Sequence, residues 1–133
     1  MHSVVFEKSY VNHAWGYQHR GSLITDDGFI WKYDLSGQRR DTPYTPEEKL
    51  YRAIRVGQVP YQAMNDLLDL LDCIPHEPLP EKQHTAYDAG SNSLKAYRDG
   101  EMVVLDLRGD YSATSSDKCI KELVSKLQKY MSF

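Results

Sequence analysis

The sequence contains little that would fix a catalytic chemistry or a membrane location. Its 133 residues include no glycine-rich phosphate loop, no HExxH zinc motif, no CxxC pair and no dinucleotide-binding fingerprint. No stretch approaches the roughly 18 apolar residues of a membrane-spanning helix. The apolar run at residues 4–6 is too short for a signal peptide. We therefore expect a cytoplasmic protein that needs no metal or cofactor and does not contact a membrane.

Cysteine is also scarce. Cys73 and Cys119 are the only two cysteines, and each lies in a predicted helix on or near its apolar stripe. Buried cysteines in a cytoplasmic protein are usually free thiols. We therefore expect two free thiols, with a disulfide or redox pair as the alternative.

The composition is that of a soluble globular protein. Hydrophobic residues make up 41% and charged residues 26% of the chain, and a chain of this length buries about two-thirds of its unfolded surface. We expect residues 1–133 to form one domain. The net charge of −3 and the pI near 5.9 argue against a protein that binds nucleic acid directly.

Two Asp-Gly pairs predict β-hairpins. The first pair, at residues 27–28, separates the β-favouring runs 22–25 and 29–33. The second pair, at residues 99–100, separates the runs 94–98 and 102–107. An Asp-Gly pair between two such runs is typical of a tight hairpin turn. Val4, Phe6 and Tyr10 alternate along a further predicted strand.

The middle of the chain has helix signals. Thr45, Pro46 and Glu48 match a capping box with proline at the first helical position, and Gly57 predicts the end of that helix. A second apolar helix is expected between Pro60 and Pro75.

A third helix is expected near the C-terminus. Thr114 and Asp117 resemble a capping box, and Ile120, Leu123 and Leu127 follow at helical spacing. The order of elements is therefore strands, helices, strands and a final helix. This order predicts an α+β fold in which an antiparallel sheet, built from hairpins, has helices packed on one face.

The negative charge of the chain is concentrated in its helical middle. Residues 41–80 have a net charge of −4, whereas residues 1–40 and 81–133 have +1 and 0. Asp66, Asp69 and Asp72 repeat every three residues, so they span about 120° of one helix. They form either the solvated side of an amphipathic helix or a surface that docks a basic partner.

The docking interpretation adds further residues to the surface. Glu47 and Glu48 would extend the negative patch, and Tyr61 would provide an aromatic anchor. Carboxylates placed where phosphates would lie suit a partner whose groove is lined with lysine and arginine, such as a nuclease. A structural adaptor that associates through an open sheet edge is a further alternative.

Histidines offer a different chemistry. His13 and His19 lie in a segment rich in aromatic and polar side chains, and His84 is the third candidate. Two converging histidines could act as acid and base in a small metal-independent hydrolase or nuclease. Alternatively, they make local hydrogen bonds in a packed strand or loop.

Three short motifs resemble those of a family of small uncharacterised bacterial proteins. They are YxNxAWGYQxxG at residues 10–21, DAGS at 88–91 and GDYS at 109–112. No enzymatic activity is assigned to that family, so no catalytic residue carries over. Small acidic proteins of this kind also look like immunity proteins, such as those of contact-dependent growth inhibition systems. That resemblance implies a protein that binds a bacterial toxin, of the nuclease type, and covers its active site.

Overall fold

The structure is a computed structural model that describes residues 3–13, 16–38, 42–75, 83–84 and 90–131. An antiparallel sheet forms its centre. Its eight strands follow the spatial order β4-β3-β2-β1-β6-β7-β8-β5, and each neighbouring pair is antiparallel. The strands are β1 Val4–Asn12, β2 Gln18–Thr25, β3 Phe29–Asp34, β4 Ile54–Gln58, β5 Gln83–His84, β6 Ser91–Arg98, β7 Glu101–Gly109 and β8 Tyr111–Thr114.

Both predicted hairpins are confirmed. The first joins β2 to β3, and its Gly28 has φ +87°. The second joins β6 to β7 through Asp99 and Gly100, whose φ angles are +54° and +80°. Glycine accepts these left-handed angles without strain, and aspartate tolerates the one at Asp99 better than most residues do. In the first turn Asp27 has another role, because its carboxylate accepts hydrogen bonds from Thr25 Oγ1 and the Phe29 amide.

Three helices accompany the sheet: α1 Pro46–Arg52, α2 Tyr61–Cys73 and α3 Lys118–Leu127. The capping box of α1 is confirmed, because the Glu48 amide donates to Thr45 Oγ1 and the Thr45 amide donates to Glu48 Oε1. Asp117 caps α3 by accepting a hydrogen bond of 3.0 Å from the Ile120 amide. The prediction for Thr114 is wrong, since this residue ends strand β8.

The predicted role of Gly57 is also wrong. Helix α1 ends at Arg52, and Ile54 begins strand β4, which pairs with β3 at the edge of the sheet. Residues 54–56 contain two β-branched side chains, which favour an extended strand over another helical turn. Gly57 lies opposite Ile30 in this strand pair and does not terminate a helix.

The two faces of the sheet carry different helices. Phe6 and Ile24, paired across β1 and β2, belong to the large apolar core that α2 and α3 complete. Glu7 and Leu23 point to the other face, where α1 contributes Lys49 and Leu50. The predicted α+β class is confirmed, and we refer to the two sides as the α2–α3 face and the α1 face. No helix in the described ranges is long and apolar enough to cross a membrane.

The two cysteines form a disulfide, so the expectation of free thiols is wrong. Cys73 is the last residue of α2 and Cys119 is the second residue of α3, and their Cα atoms are 6.0 Å apart. Because α2 and α3 pack together, the end of one helix lies beside the start of the other. That placement is a tertiary property that the spacing of two cysteines does not reveal.

Residues of the three motifs pack against one another where β1, β6 and β7 meet. A Cβ atom on Gly90 would lie 2.8 Å from the Tyr10 hydroxyl, and one on Gly109 would collide with the Gly90 carbonyl. The Asp110 amide donates to that carbonyl at 2.7 Å. Asn12 Nδ2 donates to the Tyr10 hydroxyl at 2.9 Å. These motif residues therefore have a packing role. Residues 14–15 and 88–89 of the motifs lie outside the described ranges.

Candidate functional site

The three aspartates of α2 point away from the sheet. Asp66, Asp69 and Asp72 are all exposed. The buried side of the helix consists of Met64, Leu67 and Leu71. At 100° per residue, Asp69 lies opposite the centre of this buried side, with Asp66 and Asp72 about 60° to either side of it. The aspartates therefore form one surface, as the sequence predicts.

The surroundings of the aspartates are not uniform. Asp66 lines a small recess together with two lysines. Lys126 belongs to α3, and Lys129 lies in the turn after it. Asp69 and Asp72 lie outside this recess. Tyr61, the first residue of α2, is 81% exposed. The negative surface is therefore strongest at Asp69 and Asp72, and an exposed aromatic side chain lies on the same helix.

Glu47 and Glu48 do not extend this surface. Both belong to α1, which packs on the face of the sheet opposite α2. The Glu48 carboxylate is also engaged in the capping box. Nearness in sequence therefore does not make these two glutamates part of the aspartate surface.

An open cleft of about 420 Å³ lies on the α1 face. His13, Tyr17 and His19 line the cleft. The centroid of the Tyr17 ring lies 5.2 Å from that of His13 and 5.8 Å from that of His19. Lys49 and Lys95 also line the cleft. Two of the three candidate histidines thus share one cleft.

His84 lies far from the other two histidines. It belongs to β5, and strands β6, β7 and β8 separate it from β1. At the usual strand spacing this separation is about 19 Å. The side chain of His84 lies outside the described part of the structure. The structure therefore does not bring the three histidines into one site.

His19 is held in a buried and positively charged environment. Its side chain is 7% exposed, and Nδ1 shares a hydrogen bond of 2.7 Å with the Tyr17 hydroxyl. Nε2 is buried without a hydrogen-bonding partner in the described part of the chain. Burial, followed by the nearby Lys49 ammonium, lowers the pKa of His19 to about 4. His19 is therefore neutral at pH 7.

Beneath the cleft lies a buried carboxylate that the sequence did not reveal. Glu7 is 0% exposed and accepts hydrogen bonds from Tyr33 Oη at 2.6 Å, Lys49 Nζ at 2.7 Å and Tyr97 Oη at 2.8 Å. Burial acts to raise the pKa of Glu7, but the Lys49 charge and these hydrogen bonds outweigh it, and the pKa lies below its ordinary value. Burial beside this carboxylate raises the pKa of both tyrosines.

The side chains of the cleft are better suited to binding a small chemical group than to acting as an acid or base in catalysis. A general base works best when its pKa is near the working pH. The pKa of His19 is far below that range, and its Nε2 atom is covered. Glu7 is ionised but fully enclosed by its three donors. Among the described residues, no group of three or more histidines, cysteines and carboxylates could hold a metal ion.

Comparison of the chain with protein-family models, with curated proteins and with solved structures gives no match.

The buried state of His19 predicts a pH-dependent stability. Because its pKa falls from an ordinary 6.5 to about 4 on folding, the unfolded chain binds this proton more readily. The contribution of His19 to the free energy of unfolding is therefore fully present above pH 6.5 and is lost as the pH falls toward 4. We expect a loss of about 2 kcal/mol between pH 7 and pH 5. Urea unfolding at several pH values measures it. The His19→Gln variant should lack this slope, and a His19 imidazole that titrates near pH 6.5 by NMR would contradict the prediction.

Proposed function

We propose that this protein binds and neutralises a basic bacterial toxin of the nuclease type. The observation that carries the proposal is the exposed surface of Asp66, Asp69, Asp72 and Tyr61 on α2. Carboxylates on a rigid helix suit a groove lined with lysine and arginine, because opposite charges speed association and select the partner. An exposed tyrosine is a common anchor at such interfaces. The bound protein would cover the toxin's active site.

The disulfide bears on where the protein would act. We propose a cytoplasmic location, where a toxin would meet its target, and where thiols are normally kept reduced. The disulfide that joins α2 to α3 is therefore unusual for this location, and the proposal requires that toxin binding does not depend on it. The aspartate surface lies on a helix with its own apolar contacts to the sheet. Toxin binding should therefore persist in the presence of dithiothreitol, and calorimetry with and without the reductant tests this requirement.

Charge reversal on α2 should abolish toxin binding. The variant Asp69→Lys/Asp72→Lys places two positive charges where the proposal needs two negative ones. We expect an affinity loss of at least about 100-fold. Isothermal calorimetry would use a catalytically inactive toxin domain encoded immediately upstream of this gene. Asp66→Lys should cost less, because Lys126 and Lys129 already lie beside Asp66.

Glu101→Lys is the matched control for this experiment. Glu101 is an exposed carboxylate at the start of β7, and its reversal changes the net charge at a position outside α2. The proposal fails if Glu101→Lys weakens binding as much as the double reversal. It also fails if the double reversal leaves the affinity unchanged, or if no toxin domain is encoded beside the gene.

A small metal-independent hydrolase or nuclease is the second candidate function. It is favoured by one observation, the presence of His13 and His19 in the same cleft. The low pKa and covered Nε2 of His19 argue against it. A nuclease assay on the purified protein tests this candidate. Activity that disappears in His13→Ala would favour the enzyme over the inhibitor.

A further inference from the structure

The helices leave part of the α2–α3 face open. α2 and α3 cover the sheet where Phe6, Ile24 and Leu94 contribute to the main core. On the same face, strands β1 to β3 carry a groove of about 710 Å³. Strand β4 and residues 130–131, which follow the end of α3, also line the groove. This volume is within the usual range of small-molecule binding sites.

The floor of the groove is positively charged. Lys8, Ser22 and Lys32 are successive cross-strand partners on β1, β2 and β3. The two lysines are thus about 10 Å apart at the usual strand spacing, and Arg20 lies on the strand between them. Asp34, the cross-strand partner of Arg20, is the one carboxylate among the described residues that line the groove. The floor therefore has a net positive charge.

The cations of the floor act on one another. Burial, followed by the charges of Arg20 and Lys32, lowers the pKa of Lys8. Like charges held this close repel, and an anion placed between them would relieve the repulsion. Lys32 and Arg20 are exposed at the surface of the groove, so an incoming group can reach them.

The wall formed by β4 is apolar. Ile54 is 72% exposed and Val56 is 53% exposed, and both line the groove. Ile54 is the cross-strand partner of Lys32, so the apolar wall begins directly beside a cation. Apolar side chains clustered around a polar floor are typical of ligand-binding surfaces.

We propose that this groove binds a small amphipathic organic anion. Its phosphate or carboxylate group would lie on Lys8, Arg20 and Lys32, and its aliphatic or aromatic part would contact Ile54 and Val56. The charge of the floor selects an anion, and the exposed apolar wall selects one that carries a hydrophobic body. The site is separate from the aspartate surface, so it holds or fails independently of the proposed toxin binding.

Calorimetry or NMR titration with octyl phosphate and with octanoate tests the proposal, and inorganic phosphate serves as the reference. We expect saturable binding of at least one octyl compound, at least about tenfold tighter than that of inorganic phosphate. The octyl compound that binds more tightly identifies the preferred anion. Lys32→Ala should weaken binding by about tenfold. Val56→Ser should weaken octyl phosphate binding while leaving the affinity for inorganic phosphate unchanged.

Lys121→Ala is the matched control, because Lys121 is an exposed lysine on α3 that does not line the groove. Unfolding midpoints would verify that each variant is folded. The proposal is overturned if neither octyl compound binds at millimolar concentration, or if Lys32→Ala and Lys121→Ala have the same effect. Sedimentation with anionic lipid vesicles, without binding of either octyl compound, would identify a membrane surface as the ligand and would also overturn it.

Discussion

Replacing Glu7 by glutamine is expected to lower the free energy of unfolding by about 3 to 5 kcal/mol. The substitution preserves the shape of the side chain but removes the charge that balances Lys49, whose side chain is 8% exposed. An ammonium group that is buried without its counter-charge is strongly destabilising. Urea unfolding at pH 7 measures the change.

Two further variants make this experiment decisive. Glu101→Gln removes an exposed carboxylate from the same sheet and should change stability by less than about 0.5 kcal/mol. Glu7→Gln combined with Lys49→Met removes both charges and should recover most of the loss. A loss below about 1 kcal/mol for Glu7→Gln alone would show that the pair is not buried as described.

The same carboxylate also predicts a response to acid. Because the pKa of Glu7 is lowered on folding, its contribution to stability is present above its ordinary pKa and is lost as the pH falls through the lowered value. This window lies below the one in which His19 acts. The two groups can therefore be separated by comparing Glu7→Gln and His19→Gln across the acid range.

Loss of the disulfide is expected to cost about 2 to 4 kcal/mol of stability. The bond joins Cys73 to Cys119, 46 residues apart in sequence, so it restricts the unfolded chain substantially. Urea unfolding of the oxidised protein would be compared with that of Cys73→Ser/Cys119→Ser. The wild-type protein in reductant should match the double variant.

A thiol count tests the bond itself. The oxidised protein, denatured without reductant, should show no free thiol, because these two residues are the only cysteines in the sequence. Two reactive thiols, or equal stability of the oxidised protein and the double variant, would contradict the pairing.

Local signals in the sequence predict much of the fold. The Asp-Gly turns, the capping box at Thr45 and the apolar stripe of α2 depend on neighbouring residues, so they can be recognised without tertiary knowledge. Gly57 shows the limit of such signals. A glycine after an apolar stretch is compatible with a helix end and with a strand, and the pairing of β4 with β3 decides between them.

The candidate site was harder to predict because the sheet is covered on both faces. The alternation of Val4, Phe6 and Tyr10 is typical of a strand with one buried face. Instead, α1 covers the second face, so Glu7 is buried as well as Phe6. A bulge between Val4 and Phe6 also breaks the simple alternation. The partners of Glu7 come from β3, α1 and β6, and no local pattern links those segments.

Hydrogen exchange of the protein with and without the inactive upstream-encoded toxin domain is the most direct test of the proposed function. If the aspartate surface binds the toxin, the amides of α2, residues 61–73, should be protected in the complex. We expect no comparable protection at the histidine cleft, around residues 17–19, or at the β4 edge, residues 54–58. Protection confined to the cleft or to β4, with α2 unchanged, would contradict the assignment of the aspartate surface as the toxin-binding site.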